Sequence, residues 1–345
     1  MDANFTRFSK VKQAVTMVEK MISRRDFLFT GLMAGFCALF VDLRVHRALA
    51  DAEDAVSTKT GSGPMERGQP SRTALRAAVH RAVHQLVDIP KIFDDPLALK
   101  IICANAKEPT YVDLCQLQKK RSLRAFIALR SRYAEDELAR AIQRGVRQYV
   151  VLGAGLDTFG YRNPYPVSRL RVFEVDHPAT QAWKRARLGE AKIAIPDSLT
   201  FAPVDFERQT LADGLNRAGF RAKEPAFFSM LGVVVYLTKT AVMETFKYVA
   251  SLPPGSKIVF DYGISSSMLS ERQRFARESL ARRVAAIGEP WITYFDPATL
   301  ARDLQGMGFK EVEDIGPEEA NDRYFKDRSD GLRISGTSRL MKACV

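Results

Sequence analysis

Five short apolar runs alternate with helical stretches between residues 148 and 262, and this alternation restricts the fold more than any other feature. The runs lie at 148–152, 170–175, 199–204, 225–231 and 257–262. Helical patterns at 179–191, 210–219 and 239–251 separate most of them. Strands that are apolar along their whole length and alternate with helices are typical of a parallel sheet buried on both faces. The pattern predicts an α/β fold of the Rossmann-like, doubly wound type.

The flanking residues predict the remaining elements of this fold. Residues 72–88 and 120–144 have helical spacing, the second stretch ending at Gly145, and Asp94-Asp95-Pro96 has the form of a helix start. A helical pattern at 297–307 is followed by strand-like runs at 310–315 and 331–341. We therefore expect a mostly parallel sheet of seven strands with an antiparallel edge, and extra helices before the first strand.

The first predicted strand leads directly into the turn Gly153-Ala154-Gly155. Glycines permit a tight bend and the close approach of a ligand because they carry no Cβ atom. In open α/β sheets, ligands bind at the carboxyl ends of the strands. A dinucleotide-binding turn would place a third glycine at position 158, where this chain has Thr158. That difference disfavours NAD and FAD, whose pyrophosphate rests on the helix that follows.

Acidic residues end the next two predicted strands. Glu174 and Asp176 close the second, where carboxylates can accept hydrogen bonds from both hydroxyls of a ribose. Asp205 and Phe206 follow the third, and such a pair can accept a hydrogen bond from the adenine amine and cover the ring. A glycine turn with acids after strands two and three predicts a site for the adenosine portion of S-adenosylmethionine.

The amino-terminal residues have a different character from the rest. Ser23-Arg24-Arg25-Asp26-Phe27-Leu28 resembles a twin-arginine export motif, and Ala48-Leu49-Ala50 has the small residues of a cleavage site. The apolar run at 27–41 is shorter than the about 20 residues that cross a membrane. We expect a twin-arginine signal or a membrane-attached segment at 1–50, with attachment through 21–50. Residues 51–71 are expected to be a linker, and 72–345 the folded domain with a helical cap at 72–146.

Charge and metal-ligand spacing exclude other classes of function. The net charge is +12, but the basic residues of 119–147 are spread around a predicted helix, so we expect no nucleic-acid partner. The four cysteines form no CxxC pair. His80 and His84 share a helix face without an accompanying carboxylate cluster. We therefore expect no metal site.

Several segments together resemble the leucine carboxyl methyltransferase family. The segments are Arg130-Ser131-Arg132-Tyr133-Ala134-Glu135-Asp136, LGAGLDT at 152–158, Glu174-Val175-Asp176-His177-Pro178 and LGVVVYLT at 231–238. The resemblance covers most of 72–340. It implies a class I methyltransferase fold with extra helices over the methyl donor, S-adenosylmethionine, and an acceptor oxygen that is often a carboxylate.

The resemblance also implies roles for single residues, carried over by position. The donor contacts it implies are Arg130 (with Arg132 as second candidate) at the methionine carboxylate, Gly153 and Gly155 with Ala154 and Asp157 along the methionine portion, Glu174 and Asp176 at the ribose, and Asp205 with Phe206 at the adenine. Members that methylate a protein carboxyl terminus often have Glu where this chain has Leu231. That departure favours a bacterial branch whose substrates are mostly undefined.

These observations predict an S-adenosylmethionine-dependent O-methyltransferase that acts on a carboxylate of a small molecule or peptide. A carboxyl group has a pKa of about 4, so a carboxylate acceptor is already ionised when it binds and needs no general base. No residue is therefore assigned as catalytic. His177, the histidine nearest a strand end, is interpreted as part of the family's loop, and Tyr236 is a candidate for lining the acceptor pocket.

Two alternatives come from other classes of protein. An NAD-dependent oxidoreductase would need a helix that begins directly at Thr158 and carries a pyrophosphate. An exported binding protein could keep the fold without catalysis, and the twin-arginine segment supports it. Because S-adenosylmethionine is kept in the cytosol, the active domain is expected to be cytoplasmic, with export or inner-membrane attachment as the alternative. The sequence predicts no oligomeric state.

Overall fold

A computed structural model describes residues 71–102, 120–206, 208–286 and 288–345. The predicted signal or membrane segment and nearly all of the predicted linker lie outside these residues. Within them, no helix is both long and apolar enough to cross a bilayer.

Among the described residues before the first strand, three segments are helical, and they lie in the region predicted as a helical cap. They are α1 (Arg72–Val87), α2 (Ala98–Ile102) and α3 (Arg121–Gln143). Helix α1 begins where the Ser71 side chain accepts a hydrogen bond from the Ala74 amide (3.1 Å). Helix α3 ends just before Gly145, whose φ of 98° only glycine adopts readily, as predicted. Helix α2 begins at Ala98, two residues after Pro96, because the Asp95 carboxylate accepts the Leu97 amide before the helix starts.

Strands and helices then alternate through the remainder of the chain. The strands are β1 (Gln148–Leu152), β2 (Arg171–Asp176), β3 (Leu199–Pro203), β4 (Phe227–Met230), β5 (Lys257–Gly263), β6 (Glu311–Ile315) and β7 (Ser338–Cys344). The helices among them are α4 (Phe159–Arg162), α5 (Pro178–Glu190), α6 (Leu211–Arg217), α7 (Lys239–Ala250), α8 (Glu271–Ala285), α9 (Pro297–Met307) and α10 (Pro317–Tyr324). Short 3₁₀ turns cover Val234–Tyr236 and Ser266–Met268.

In the described residues, the strands form one seven-stranded sheet in the order β3-β2-β1-β4-β5-β7-β6. The first five strands are parallel, and β7 runs antiparallel to both β5 and β6. The predicted doubly wound sheet with an antiparallel edge is thus confirmed. The strand order reverses between β1 and β4, and ligands of such sheets bind outside this point.

Apolar side chains cover both faces of the sheet. Tyr149 and Val151 belong to one core cluster with α3, while Val150 and Leu152 belong to a second with α7 and α9. All five residues of β1 are buried. The alternation of its side chains between two buried faces explains why the strand is apolar from Tyr149 to Leu152.

Candidate functional site

The bend after β1 has the geometry for which the two glycines were predicted. Gly153 and Gly155 have φ values of 63° and 43°. A Cβ on Gly153 would lie 2.3 Å from Cγ2 of Val233, which follows β4. Gly153, Gly155 and Asp157 are half-buried, whereas the residues between them are buried. Because glycine has no side chain, the backbone of this bend stays accessible to a ligand. The bend lies directly at the reversal of strand order, where ligands of such sheets bind.

Helix α1 lies against the same bend. A Cβ on Gly155 would lie 2.9 Å from Cβ of Ala74, so the helix approaches as closely as glycine permits. The start of α1 is held by the buried carboxylate of Glu289, which accepts the amides of Arg72 (2.6 Å) and Thr73 (3.1 Å). The extra amino-terminal helices thus cover the glycine bend.

Asp176, at the end of β2, closes the bend from the other side. Its Oδ2 accepts the Gly155 amide at 2.6 Å, and its Oδ1 accepts the His177 amide at 2.7 Å. Burial raises the pKa of this carboxyl, and the two amides act in the opposite direction. A carboxylate has roughly four lone-pair sites, so about two remain for further hydrogen bonds. Asp176 is half-buried and can therefore hold the turn and accept ribose hydroxyls together.

Glu174, expected beside Asp176 at the ribose, lies inside the protein. Two residues before the strand end, it has no exposed surface. Its Oε2 lies 2.7 Å from Nζ of the equally buried Lys184 and accepts a hydrogen bond from the Tyr161 hydroxyl (3.0 Å). Burial raises its pKa to about 7 although Lys184 lowers it. A side chain without accessible surface cannot touch a ribose, so a direct contact is not supported for Glu174.

Asp205 and Phe206 follow β3 at the same edge of the sheet. The Val204 amide donates to the Asp176 carbonyl at 3.0 Å, which places the next residue, Asp205, beside the end of β2. Asp205 is half-buried, and its Oδ2 lies 3.7 Å from Nε of Arg208. Phe206 packs against the core. Gly155, Asp176 and Asp205 therefore meet at one edge, as the adenosine hypothesis requires.

Arg130 reaches the turn after β4 from helix α3. Its Nη1 lies 3.3 Å from Oδ2 of Asp261, and the other oxygen of Asp261 accepts the Gly232 amide. A Cβ on Gly232 would lie 2.7 Å from both terminal nitrogens of Arg130. The guanidinium is thus held against the crevice between β1 and β4. The sequence prediction missed Asp261, although an acid within the apolar run of β5 was a visible signal.

Arg132, the second candidate for the methionine carboxylate, faces elsewhere. It is exposed, and its Nε donates to both carboxylate oxygens of Asp136 at 2.8 and 2.9 Å. Ala154 is buried, and both of its backbone groups are used within the bend, by Val175 and Asp157. Ala154 therefore shapes the bend, and of the two candidate arginines only Arg130 lies beside the turn after β4.

The start of α4 argues against a dinucleotide. The helix has four residues and begins at Phe159, whose amide donates to Oδ1 of Asp157 at 2.8 Å. The first amide of the helix, which has no acceptor within the helix, thus donates to the Asp157 carboxylate. A second carboxylate, Asp95, accepts the Thr158 hydroxyl at 2.8 Å. The Asp157 carboxylate stands where a pyrophosphate would rest and repels it, and the buried Asp95 carboxylate adds negative charge behind it, whereas S-adenosylmethionine carries no phosphate.

His177 has a structural role in this arrangement. It stands before the first residue of α5, and its Nδ1 accepts the Ala179 amide at 3.2 Å. The ring nitrogen that faces the helix is therefore committed to capping. This agrees with the interpretation of His177 as part of a loop.

The glycine bend, the acids that end β2 and follow β3, and the arginine beside the β4 turn lie at the carboxyl edge of the sheet, where open α/β sheets bind their ligands. The fold and its relatives define a class I S-adenosylmethionine-dependent methyltransferase. Residues 74–250 match the family model of leucine carboxyl methyltransferase, and the chain belongs to that family.

Known proteins of similar sequence are described as S-adenosylmethionine-dependent methyltransferases. The chain is 34% identical over 307 residues to "Putative S-adenosyl-L-methionine-dependent methyltransferase YktD" of Bacillus subtilis strain 168, covering 81% of this chain and 99% of that protein. A Mycobacterium avium strain 104 protein of the same description is 32% identical, covering 65% of this chain and 76% of its own. A solved methyltransferase-like structure from Thermobifida fusca YX shares 17% identity and a TM-score of 0.47, covering 81% of this chain and 96% of its own.

Proposed function

We propose that this methyltransferase acts on an oxygen, namely a carboxylate of a small molecule or peptide. S-adenosylmethionine supplies an electrophilic methyl group: the acceptor oxygen forms the C–O bond while the C–S bond breaks and the sulfur keeps the electron pair. The chain's contribution is to align the two molecules and to exclude water. Such a reaction needs a base only if the acceptor arrives protonated.

The observation that carries this proposal is the state of the proton-accepting side chains around the described crevice. His177 is committed as a helix cap. Burial raises the pKa of Tyr236, the candidate for lining the acceptor pocket, although its interactions with Thr73 and Trp291 oppose the rise. A tyrosine with a raised pKa is neutral at physiological pH and is a poor base. An acceptor that is already ionised fits this environment, because its oxygen can attack without giving up a proton.

The chemistry of the product tests the acceptor class. The full chain is incubated with S-adenosylmethionine carrying a tritiated methyl group and with separate pools of carboxylic acids, phenols and peptides. We expect label in the acids or peptides, and we expect mild base to release it as volatile methanol because carboxyl methyl esters hydrolyse readily. Label that resists base, as in a methyl ether or a methylamine, would overturn the carboxylate proposal and leave the methyltransferase assignment intact.

We also propose the donor contacts: Gly153 and Gly155 along the methionine portion, Asp157 in the same bend, Asp176 at the ribose, Asp205 with Phe206 at the adenine, and Arg130 at the methionine carboxylate. Support comes from their grouping at the carboxyl ends of β1 to β4 and from their partial exposure.

Replacing Arg130 with lysine should weaken S-adenosylmethionine binding by about ten-fold, because a lysine point charge cannot bridge Asp261 and a second carboxylate as a guanidinium does. Lysine keeps the charge beside Asp261, so the fold should persist. Isothermal titration measures the effect, and Arg132→Lys on the same helix is the matched control with unchanged affinity. Equal losses for both variants would remove Arg130 from the donor site.

A further inference from the structure

A buried carboxylate from the amino-terminal helical region reaches the exit of the glycine bend. The side chain of Asp95 has no exposed surface. Its Oδ2 accepts the Thr158 hydroxyl at 2.8 Å and lies 3.3 Å from Nε of Arg81, while its Oδ1 accepts the Leu97 amide at 3.1 Å. One carboxylate thus joins α1, the segment before α2 and the residue that follows the bend.

Arg81 holds the same segment through the backbone. From the inner face of α1, its Nη2 donates to the carbonyl oxygen of Leu156, two residues before Thr158. Arg81 is 6% exposed, and Gln85, one turn later, accepts the Asp95 amide at 3.1 Å. The Arg81–Asp95 pair therefore grips the chain at two points immediately after Gly155.

Thr158 occupies the position where a dinucleotide fold has its third glycine. Here, the hydroxyl donates to Asp95 and accepts a hydrogen bond from Nε of Arg162 at 3.1 Å. Arg162 is in turn held by Glu135 of α3 through paired hydrogen bonds. The hydroxyl of Thr158 is thus fixed from both sides by residues that lie outside the bend.

We propose that Asp95, Arg81 and Thr158 are positioning residues for the methyl donor, acting through the glycine bend. A buried ion pair is costly to desolvate, and here it fixes a segment whose left-handed glycines would otherwise be free to rearrange. Binding to a fixed bend avoids the entropic cost of ordering it. Loss of the contacts made by Asp95, Arg81 and Thr158, here called the clamp, therefore weakens the affinity for the methyl donor. The inference rests on the proposed donor site, and it makes the region before β1 part of that site.

A second buried pair supplies a matched control. Asp88 accepts hydrogen bonds from Nε and Nη2 of Arg124 at 2.7 and 2.8 Å, and both residues are buried. This pair also anchors α1 to α3, and its hydrogen bonds within the described part of the chain join it to His84 of α1 and not to residues 153–158. If the Asp95 cluster acts only on stability, Asp88→Asn and Asp95→Asn should affect donor binding alike.

The experiment uses the full chain with Thr158→Val, Thr158→Ser, Asp95→Asn and Asp88→Asn. Isothermal titration gives S-adenosylmethionine affinity, and hydrogen exchange without ligand reports on the 153–158 amides. We expect Thr158→Val and Asp95→Asn to weaken binding by about five-fold or more and to speed exchange in the bend. Thr158→Ser, which keeps the hydroxyl, and Asp88→Asn should stay within about two-fold of wild-type affinity, although Asp88→Asn lowers the Tm.

Two results would overturn the clamp. One is wild-type affinity and wild-type exchange in Thr158→Val, which keeps the shape of threonine and tests the hydroxyl even if Asp95→Asn fails to fold. The other is an equal loss of affinity in Asp88→Asn. A wild-type chain that releases no heat with S-adenosylmethionine would remove the donor site instead, and exchange in the ligand-free variants would still decide whether the clamp orders the bend.

Discussion

Replacing Gly153 with alanine should reduce S-adenosylmethionine binding by more than about ten-fold. At its φ of 63°, an alanine costs about 1–2 kcal/mol. The added methyl would also lie 2.3 Å from Cγ2 of Val233, a branched and stiff side chain, and such overpacking costs about 1–3 kcal/mol. The bend must move to relieve the overlap, and it carries the proposed donor contacts with it. Titration with S-adenosylmethionine, alongside thermal unfolding, measures both effects.

Gly189 provides the matching control for this substitution. It lies in helix α5, and a Cβ there would meet no atom within 4 Å. Gly189→Ala should therefore leave affinity unchanged and stabilise the protein by about 0.5–1 kcal/mol. Adding Val233→Ala to Gly153→Ala should restore part of the binding by relieving the overlap. Wild-type affinity in Gly153→Ala alone would contradict the assignment of this bend to the methyl donor.

At alkaline pH, where Glu174 is ionised, replacing Lys184 with methionine should lower the free energy of unfolding by about 3–5 kcal/mol, because the substitution leaves the buried carboxylate without its cation. The two side chains are each 1% exposed, and Nζ lies 2.7 Å from Oε2. The Tyr161 hydroxyl still donates to Oε2 of Glu174 at 3.0 Å, but one neutral donor does not replace a cation. Chemical denaturation of the variant and the wild type gives the difference directly.

The loss should grow as the pH rises. Burial raises the pKa of Glu174 in the folded protein to about 7, above its ordinary value of 4.5. A carboxyl with a raised folded pKa stabilises the fold fully below its unfolded pKa, and this stability is lost as the pH rises through the folded value. Without Lys184, the pKa of Glu174 in the folded protein rises further. The free energy of unfolding of the variant therefore keeps falling up to a higher pH than that of the wild type. Lys184→Met combined with Glu174→Gln should remove this dependence and recover stability, whereas equal stability of Lys184→Met and wild type above neutral pH would contradict it.

The sequence predicted the sheet well because its strands are apolar on both faces. The predicted bounds of β1 match the structure, and those of the other parallel strands differ by one or two residues at an end. Helix α8 was missed because Val284 is its only buried residue, so it has no apolar stripe to detect. The last strand begins seven residues later than its predicted start at 331, since the intervening segment is irregular.

Site residues could be predicted where their role depends on their position along a strand. They could not be predicted where it depends on how deeply the side chain is buried in the protein. Gly153, Gly155, Asp176 and Asp205 follow strand ends, and the parallel sheet brings these ends to one edge. Glu174 lies two residues from such an end, and only packing around Lys184 shows that it is enclosed. The contribution of Asp95 depends on how α1 meets the bend, which no local pattern encodes.

The bond between Glu289 and the start of α1 has a consequence for biosynthesis. The Arg72 amide and the Glu289 carboxylate are 217 positions apart along the chain. Helix α1 leaves the ribosome long before Glu289 does. The packing of α1 over the glycine bend therefore cannot be completed until most of the polypeptide has emerged. Non-local closures of this kind are slow to form. The five parallel strands precede Glu289 along the chain, so a nascent chain can pair them before it encloses a nucleoside, and the ability to retain that nucleoside arises late in its maturation.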